Sequence, residues 1–296
     1  MTIIGFLACT LALVGLVARQ IEITNHTTLI LALLSPYLML AVPAAGIVYL
    51  LRRRWLPATG IFVIAVILLP PRTAPISAAA TIRVMSTNIL QGRADAHAVV
   101  DLARRNADVV AVQELTPDAL KRLSASGVDA AFPYRIVKPL DGGSGAGLWS
   151  RHPLRATGDP TSEAVPIIAT LEIPGTAMPT TVANVHLSAP WPWTIEWWRA
   201  DTVQMIATLK DLGTPSVVAG DFNSTWDMAP FRRLLDLGYR DAAGPFAATY
   251  PADSRIPPLL AIDHILTRGC SGWQSWTATV PGTDHRAPLA TVELPG

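Results

Sequence analysis

The stretch SVVAGDFN, residues 216–223, has the pattern of a buried strand that ends in an acidic and an amide side chain. Its first five residues are small or β-branched, a composition typical of a strand covered on both faces. Asp221 and Asn223 fall where this strand is expected to end. Strand ends are favoured for ligand sites in α/β sheets, because a rigid strand fixes a side chain that a loop could not. We therefore expect this stretch to contribute to a functional site.

Similar stretches recur after residue 81, where strand-like and helix-like patterns alternate. Apolar residues recur at helical spacing at 97–106 and 195–212, and β-branched runs that predict strands lie at 108–114 and 180–187. Mixed strands and helices in one long region predict an α/β or α+β architecture. Polar side chains are expected at or just past the C-terminal ends of the other strands: Asn88, Glu114, His186, Asp263 and the pair Asp284/His285. Their common position suggests that they converge on one site.

The first 80 residues have a different composition. They hold five of the 23 Lys+Arg and one of the 22 Asp+Glu, and they contain three apolar runs, at 3–18, 28–51 and about 57–71. A helix needs about 20 mostly apolar residues to cross a bilayer, a length that the second run exceeds. The first and third are short but carry no internal charge. We expect three spans, or two spans with a re-entrant or interfacial segment. The chain then divides into a transmembrane region at 1–71, a Pro/Ala-rich linker at 72–80 and a globular domain at 81–296.

The basic cluster Arg52–Arg54 predicts the orientation of this region. Lys and Arg near the ends of spans favour the cytoplasmic side. With three spans, the N-terminus lies inside and everything after Pro70 lies outside. An even number of spans would reverse that conclusion if the N-terminus stayed inside.

The charge of the globular domain bears on its partners. Residues 81–296 hold 18 basic and 21 acidic side chains, a formal net charge of −3. Because non-specific nucleic-acid binding depends on Lys and Arg that neutralise phosphates, this balance argues weakly against such binding. The two cysteines, Cys9 and Cys270, form neither a disulfide framework nor a zinc site.

The candidate residues suit a particular chemistry. A hard divalent cation prefers carboxylate and amide oxygens, and Glu114 and Asp284 are of this type. Hydrolysis of a phosphate ester needs such a cation, a water with a base, and donors for developing charge. His285, oriented by Asp263, is a candidate base, and His186 is a candidate donor to a phosphoryl oxygen.

These pieces, in this order, resemble the endonuclease/exonuclease/phosphatase superfamily, which includes deoxyribonuclease I, inositol-polyphosphate phosphatases and bacterial sphingomyelinases. The resemblance covers essentially all of residues 81–296 and implies a four-layer α/β sandwich of two β-sheets flanked by helices. GDFN followed by a final DH pair is its most specific part. The matching segments are STN (86–88), QE (113–114), SRHPL (150–154), HLSAP (186–190), GDFN (220–223), IDHIL (262–266) and TDHRAP (283–288).

The resemblance also implies roles for single residues and a cofactor, Mg²⁺ or Mn²⁺. It assigns metal binding to Glu114, Asn88, Asp284 and Asp221. It assigns catalysis to His285, His186, Asp263, Asp221 and Asn223. In deoxyribonuclease I a separate carboxylate holds the counterpart of His186, and the sequence offers no convincing match for that carboxylate. His264, next to Asp263, is expected to be a packing or hydrogen-bonded residue.

Four tryptophans lie close together shortly after His186: Trp191, Trp193, Trp197 and Trp198. Tryptophan suits membrane–water interfaces because it combines an apolar body with a polar N–H. Two interpretations stay open. The segment meets lipid or the apolar tail of a substrate near the site, or most of the indoles simply pack on the sheet.

Spans followed by such a domain also resemble membrane proteins of the teicoplanin-resistance (VanJ) type. This similarity suggests a membrane-embedded, extracytoplasmic phosphoesterase that hydrolyses a phosphate ester or pyrophosphate of a membrane or cell-envelope lipid. The alternatives are a membrane-anchored nuclease acting on DNA and a non-catalytic domain that binds an envelope component. The sequence leaves the oligomeric state open.

Overall fold

The computed structural model describes residues 2–51, 53, 77–157, 166–244 and 247–296. The chain divides into two compact units, of which the first holds the N-terminal helices and the second holds the β-sheets. The helices of the first unit are α1 (Thr2–Ala18), α2 (His26–Met39) and α3 (Ala41–Leu51). The predicted apolar run at about 57–71 and most of the predicted linker lie outside the described residues.

One stretch of helix in the described part of the chain is long and apolar enough to cross a membrane. It comprises α2 and α3 together, His26–Leu51, with a mean hydropathy of 2.0. Helix α1 is apolar but has 17 residues, at the lower limit for a span. Because a signal sequence has the same properties, this stretch is weak support for a membrane anchor. The number of spans and the orientation set by Arg52–Arg54 stay predictions.

The second unit contains two six-stranded sheets. In spatial order, the first sheet consists of β11 (Ser271–Thr279), β12 (Arg286–Pro295), β1 (Ala78–Asn88), β2 (Val109–Gln113), β4 (Ala146–Ser150) and β3 (Tyr134–Lys138). The second consists of β5 (Leu154–Ala156), β6 (Ile167–Leu171), β7 (Thr180–His186), β8 (Ser216–Asp221), β10 (Asp263–Arg268) and β9 (Arg240–Asp241). One central pair in each sheet is parallel, β1 with β2 and β7 with β8, and the other pairs are antiparallel.

The chain also contains the helices α4 (Ala96–Asn106), α5 (Pro117–Ala125), α6 (Val128–Ala131), α7 (Ile195–Lys210) and α8 (Ala229–Asp236). The first four residues of α8 belong to the first unit, and the other four helices belong to the second. Three of them begin at a side chain that accepts a backbone N–H of the first turn, as helix N-termini require. The caps are Asp95 for α4, Thr116 for α5 and Thr194 for α7.

Successive side chains of a strand point to opposite faces of its sheet, so the apolar residues form one core between the two sheets and another on the outer face of the first sheet. On β1, Ile82 and Val84 join Val182 and Val217 of the second sheet in the inner core. Met85, which points the other way, packs with residues of α4 and α5. This arrangement of two mixed sheets with flanking helices confirms the predicted α/β sandwich.

The sheet begins earlier than the sequence suggested. Ala78–Ala80, expected in the linker, form the start of β1, and Ala78 pairs with Pro295 at the end of β12. Three alanines carry little strand signal by themselves. The long final strand provides the backbone partners that extend β1 toward the N-terminus.

The prediction that every candidate residue follows a strand is wrong for Asp263, whereas the pair Asp284/His285 follows β11, which ends at Thr279. Asp263 is the first residue of β10, and the pair directly precedes β12. Both strands run antiparallel to their neighbours β8 and β1. Because the start of an antiparallel strand lies beside the end of its partner, these residues reach the same edge as those that end β8 and β1.

A buried polar link joins the two sheets close to that edge. The Gln113 Nε2 of β2 donates to the Asn184 Oδ1 of β7 over 2.7 Å. The Asn184 amide nitrogen donates in turn to the carbonyl oxygens of Val112 and Gly147, each over 2.9 Å. Buried polar groups that are fully bonded hold a single arrangement, since any shift would leave one of them unpaired. The link therefore fixes β2 against β7, one residue before Glu114 and two before His186.

Candidate active site

Three of the predicted residues meet through the Asn88 side chain. Its Nδ2 donates to Glu114 Oε1 and to Asp221 Oδ2, each over 3.0 Å. Its Oδ1 accepts the backbone N–H of Leu90 over 2.9 Å. Because that bond fixes which end of the amide faces the cluster, Asn88 turns its nitrogen rather than its oxygen toward the carboxylates. In this arrangement the Asn88 nitrogen holds two carboxylates together, and the role of Asn88 as a metal ligand stays a prediction.

Asp221 is held at the end of β8 by the residues on either side of it. The backbone N–H of Asn223 donates to Asp221 Oδ1 over 2.8 Å, and Asn223 Nδ2 donates to the carbonyl oxygen of Leu187 over 2.8 Å. On the other side, a Cβ at Gly220 would lie 1.9 Å from the carbonyl oxygen of Val185. Only glycine allows β8 this close approach to β7. The GDFN segment is thus a strand end shaped by contacts with β7.

His285 and Asp263 form a buried pair on the same edge. The Nδ1 of His285 donates to Asp263 Oδ2 over 2.8 Å. This bond leaves Nε2 directed toward carboxylates, 3.8 Å from Asp221 Oδ2 and 3.8 Å from Asp284 Oδ1. A carboxylate that holds one ring nitrogen sets the tautomer and orientation of the other. The structure thus brings together the histidine and the carboxylate that the sequence paired.

His186 faces the cluster from the end of β7. Its Nε2 lies 3.7 Å from Glu114 Oε1 and 3.9 Å from Asp221 Oδ2, beyond hydrogen-bonding distance of both. Within the described residues, no carboxylate forms a hydrogen bond with its ring.

The proximity of these groups shifts their protonation equilibria. Burial and the charge of Asp263 raise the pKa of Asp221 to about 6, although His285 and His186 oppose the rise. Burial alone would lower the pKa of His285, but Asp263, Asp221 and Asp284 raise it to about 10. Burial also raises the pKa of Asp284. Several carboxylates compete for too few positive charges in this cluster.

The types of donor in this cluster suit a divalent cation. Glu114, Asp221 and Asp284 offer carboxylate oxygens, the ligands that Mg²⁺ and Mn²⁺ prefer. In the part of the chain that the structure describes, the buried Asp284 Oδ1 accepts no hydrogen bond. Among the described residues, the His, Asp and Glu side chains whose ligand atoms all lie within 4.8 Å of one another are Asp221, Asp263 and His285, a group that does not include Glu114 or Asp284. Asp263 Oδ1 is likewise buried without a hydrogen bond. We favour the three carboxylates on the chemistry of their oxygens, because the Asp263–His285 pair is already engaged in a hydrogen bond.

Three residues that the sequence analysis did not single out complete the site. Thr283 Oγ1 donates to the carbonyl oxygen of Asn88 over 2.8 Å and so joins the DH segment to the end of β1. Thr249 Oγ1 accepts the N–H of Asp263 over 3.3 Å. The Tyr250 ring lies 5.2 Å from the His285 ring. Thr283 lies within the TDHRAP segment of the sequence analysis. No pattern in the sequence indicated residues 249 and 250 as part of the site, because a long loop separates them from β10.

Two further features lie in or near the site: His264, expected to be a packing or hydrogen-bonded residue, and a glycine-rich loop. His264 is buried, and its ring nitrogens lie 2.8 Å from Asp241 Oδ2 and 2.9 Å from the carbonyl oxygen of Ser224. Its hydrogen bonds agree with the expected structural role. In the glycine-rich stretch 141–147, a Cβ at Gly143 would lie 3.7 Å from the carboxyl carbon of Glu114. This loop lies against the site without a cationic side chain of its own.

Similarity to known proteins agrees with this geometry. A UPF0294 protein of Vibrio vulnificus (strain YJ016) is 27% identical over 215 residues, which cover 69% of this chain and 74% of the relative. Among solved structures, an endonuclease/exonuclease/phosphatase of Beutenbergia cavernae superposes with a TM-score of 0.55 at 17% identity, covering 73% of this chain and 72% of the other. Sphingomyelinase C of Streptomyces griseocarneus superposes with a TM-score of 0.51 at 18% identity, covering 72% and 99%.

The sequence profile of the Endonuclease/Exonuclease/phosphatase family matches residues 85–285, which extend from β1 to the histidine of the buried pair. The match includes Asn88, Glu114, Asp221 and His285, the residues that the fold brings to one edge. The chain therefore belongs to the endonuclease/exonuclease/phosphatase family, whose members are hydrolases acting on phosphate esters.

Proposed function

We propose that this chain is a membrane-anchored, extracytoplasmic hydrolase that depends on Mg²⁺ or Mn²⁺ and cleaves a phosphate ester or pyrophosphate carried by a lipid. One observation carries the chemical part of this proposal. The carboxylates of Glu114 and Asp221 converge beside the His285–Asp263 pair at a single edge of the sandwich. A cation site next to a positioned imidazole can supply both the positive charge and the base that hydrolysis of a phosphate ester uses.

The residues of the site divide into two functional groups. Glu114, Asp221 and Asp284 would hold the cation, and Asn88 would fix the separation of the first two. The cation, when bound, supplies positive charge that neutralises phosphoryl oxygens. His186 lies beside the same carboxylates, where its N–H can donate to a non-bridging oxygen of the substrate.

His285 is the candidate base, and its protonation depends on the charges around it. With a pKa raised to about 10, the imidazole carries a proton near neutral pH while the surrounding carboxylates are uncompensated. Positive charge placed among those carboxylates lowers this pKa toward the range in which a base acts efficiently. Asp263 keeps Nδ1 protonated, so His285 accepts the proton of the attacking water at Nε2.

The lipid part of the proposal has separate support. The apolar stretch His26–Leu51 suits a membrane anchor, and the net charge of −3 over residues 81–296 disfavours a nucleic-acid substrate. A structural relative is a sphingomyelinase, so this fold is compatible with a lipid substrate. The extracytoplasmic location rests on the basic cluster Arg52–Arg54, and the similarity to VanJ-type proteins suggests a cell-envelope lipid.

The test uses the purified full-length chain in detergent. Phosphate or headgroup release is measured on undecaprenyl pyrophosphate, phospholipids, sphingomyelin and plasmid DNA, with Mg²⁺ and with EDTA. We expect lipid turnover that requires Mg²⁺ and that falls by about 100-fold or more in Glu114→Ala and His285→Ala. His97→Ala is the matched control, because His97 is exposed and its substitution should leave the rate unchanged.

Each other outcome contradicts a defined part of the proposal. DNA nicking with the same metal and residue dependence, without lipid turnover, would show that the chain is a nuclease. Turnover that persists in EDTA would exclude the cation site. Equal losses in His97→Ala and His285→Ala would mean that the loss reflects stability rather than catalysis.

A further inference from the structure

Three of the four clustered tryptophans are exposed. The exposed fractions of Trp191, Trp193 and Trp197 are 63%, 60% and 57%, whereas Trp198 is fully buried. One indole packs in the core and three face outward, so the interpretation that most of the indoles pack on the sheet is wrong, and contact of this segment with lipid stays a prediction. Three exposed indoles within seven residues form an apolar surface that needs an explanation.

This surface begins directly beside the site. The segment 187–194 leaves β7 immediately after His186, and the N–H of Leu187 donates to the carbonyl oxygen of Asp221 over 3.0 Å. The N–H of Ser188 donates to Asp201 Oδ2 over 2.9 Å, and α7 follows at once. Because both ends of the segment are held, its tryptophans keep a fixed position relative to His186 and Asp221.

A second apolar segment lies on the other side of Asp221. In sheet order, β8 stands between β7 and β10, so the segment that enters β10 flanks Asp221 opposite the tryptophans. Within residues 251–260, the exposed fractions of Ile256 and Leu259 are 56% and 49%. The N–H of Ala252 donates to the carbonyl oxygen of Asp284 over 2.7 Å, which ties this segment to the site as well. The apolar rim comprises Trp191, Trp193, Trp197, Ile256 and Leu259.

The charges near the rim indicate what it contacts. Residues 187–199 carry one acidic and one basic side chain, Glu196 and Arg199, and residues 251–260 likewise carry Asp253 and Arg255. Both segments are therefore neutral overall. A nucleic acid or an anionic membrane would call for an excess of Lys and Arg. Tryptophans in a neutral setting suit the interface of a zwitterionic bilayer, where the indole N–H meets the headgroups.

We propose that the apolar rim docks on the surface of a zwitterionic phospholipid bilayer and thereby brings the cation site to the level of the headgroups. The inference rests on the proposed function for its purpose, because a lipid-borne phosphate lies at that level. The contact itself needs no turnover. Docking would present the phosphate between the two segments while the rest of the lipid stays in the bilayer.

The contact can be measured with spin labels on the full-length chain in phosphatidylcholine vesicles. A nitroxide is attached at Trp193→Cys in a Cys9→Ala background, where the buried Cys270 stays unlabelled. The matched control is Trp273→Cys on β11, the outer strand of the first sheet, where the native indole is 44% exposed. At position 193 we expect greater accessibility to oxygen than to a water-soluble nickel chelate, at low and at high salt. At position 273 we expect the reverse.

Equal access of the nickel chelate to positions 193 and 273 would overturn the proposal. A protein or nucleic-acid partner for the rim would give that result in vesicles. Adding Glu114→Gln separates the docking from the proposed catalysis, since the label at 193 should stay in lipid when turnover is lost. A label in lipid without any lipid turnover would support docking and count against the proposed function.

Kinetics provide a second, independent measurement. Trp191→Ala with Trp193→Ala should lower turnover of a lipid substrate in vesicles by about tenfold or more, because two apolar contacts with the bilayer are lost. Turnover of the soluble diester bis(p-nitrophenyl) phosphate should match that of the unmodified chain. Equal losses on both substrates would contradict the proposal.

Discussion

Replacing Asp263 by Asn tests whether the buried pair has a catalytic role. The change keeps the size of the side chain but removes the negative charge that lies 2.8 Å from His285 Nδ1. Among the neighbours that raise the pKa of His285, Asp263 contributes most, so this pKa should fall. The asparagine amide can also rotate and present a donor to Nδ1, which would favour the wrong tautomer of the imidazole.

The expected effect is on the rate rather than on substrate binding. A positioned acid or base contributes about 10²–10⁴-fold, so kcat should fall by that factor, equivalent to roughly 2.7–5.4 kcal/mol of barrier. KM should change little, because the cation and phosphate contacts remain. The assay is the pH dependence of kcat with saturating Mg²⁺, in which the acid limb should move to lower pH as the pKa of His285 falls.

The chain contains a matched control for this change. Asp241 and His264 form a second buried pair with the same 2.8 Å separation, and successive residues of β10 point to opposite faces of the sheet. Asp241→Asn should cost about 1–3 kcal/mol of stability and leave kcat unchanged. If Asp263→Asn keeps kcat within about threefold of the unmodified chain, or if both variants lose the same activity, the pair is structural and the assigned base is wrong.

Three further predictions concern packing and protonation away from the reaction. Gly220→Ala should unfold the sandwich or sharply lower its Tm, because the new Cβ would lie 1.9 Å from the carbonyl oxygen of Val185. Gly213→Ala is the control and should keep the Tm, because its Cβ would have a nearest contact of 3.6 Å. The Tm of both variants is measured by thermal denaturation followed by circular dichroism. Burial raises the pKa of Cys270 to about 12, so in a Cys9→Ala background Ellman's reagent should react only after denaturant is added, and prompt reaction of the folded chain would contradict the buried position. Burial alone would raise the pKa of Asp108, but Arg83 outweighs it and lowers this pKa. The stabilisation that the Asp108 carboxylate gives the folded chain should be fully present above about pH 4, the pKa of Asp108 in the unfolded chain, and should be lost as the pH falls through its lower pKa in the folded chain. The difference in Tm between Asp108→Asn and the unmodified chain should therefore shrink in acid.

Most of the fold could be predicted because its strands carry local signals. The run at 216–223 and the helical spacing at 97–106 each indicate their structure from a few residues. The start of β1 at Ala78 could not be predicted in this way. Its residues are weak strand formers, and their partner Pro295 lies more than 200 residues away in sequence. Pairing at such separation depends on tertiary context rather than on local propensity.

The residues of the site were easier to predict than their geometry. Their identities stood out because acidic and imidazole side chains follow apolar runs. The error for Asp263 arose because the sequence does not show strand direction, and β10 runs antiparallel to β8. The orientation of the Asn88 amide could not be predicted from the sequence either. Its orientation is decided by the N–H of Leu90, a contact that no pattern reveals.

The backbone at the site shows how much of its arrangement is imposed by the fold. Glu114 has a φ of 60° and Asn223 a φ of 44°, in the left-handed region that costs most side chains energy. Leu90 and Gln91, whose loop gives an N–H to Glu114 Oε2 over 2.6 Å, share this conformation. Strained backbone and crowded carboxylates in one place both oppose folding. They persist because the two sheets and the Gln113–Asn184 link fix the strand ends, and a bound cation would relieve the repulsion between the carboxylates but not the backbone strain.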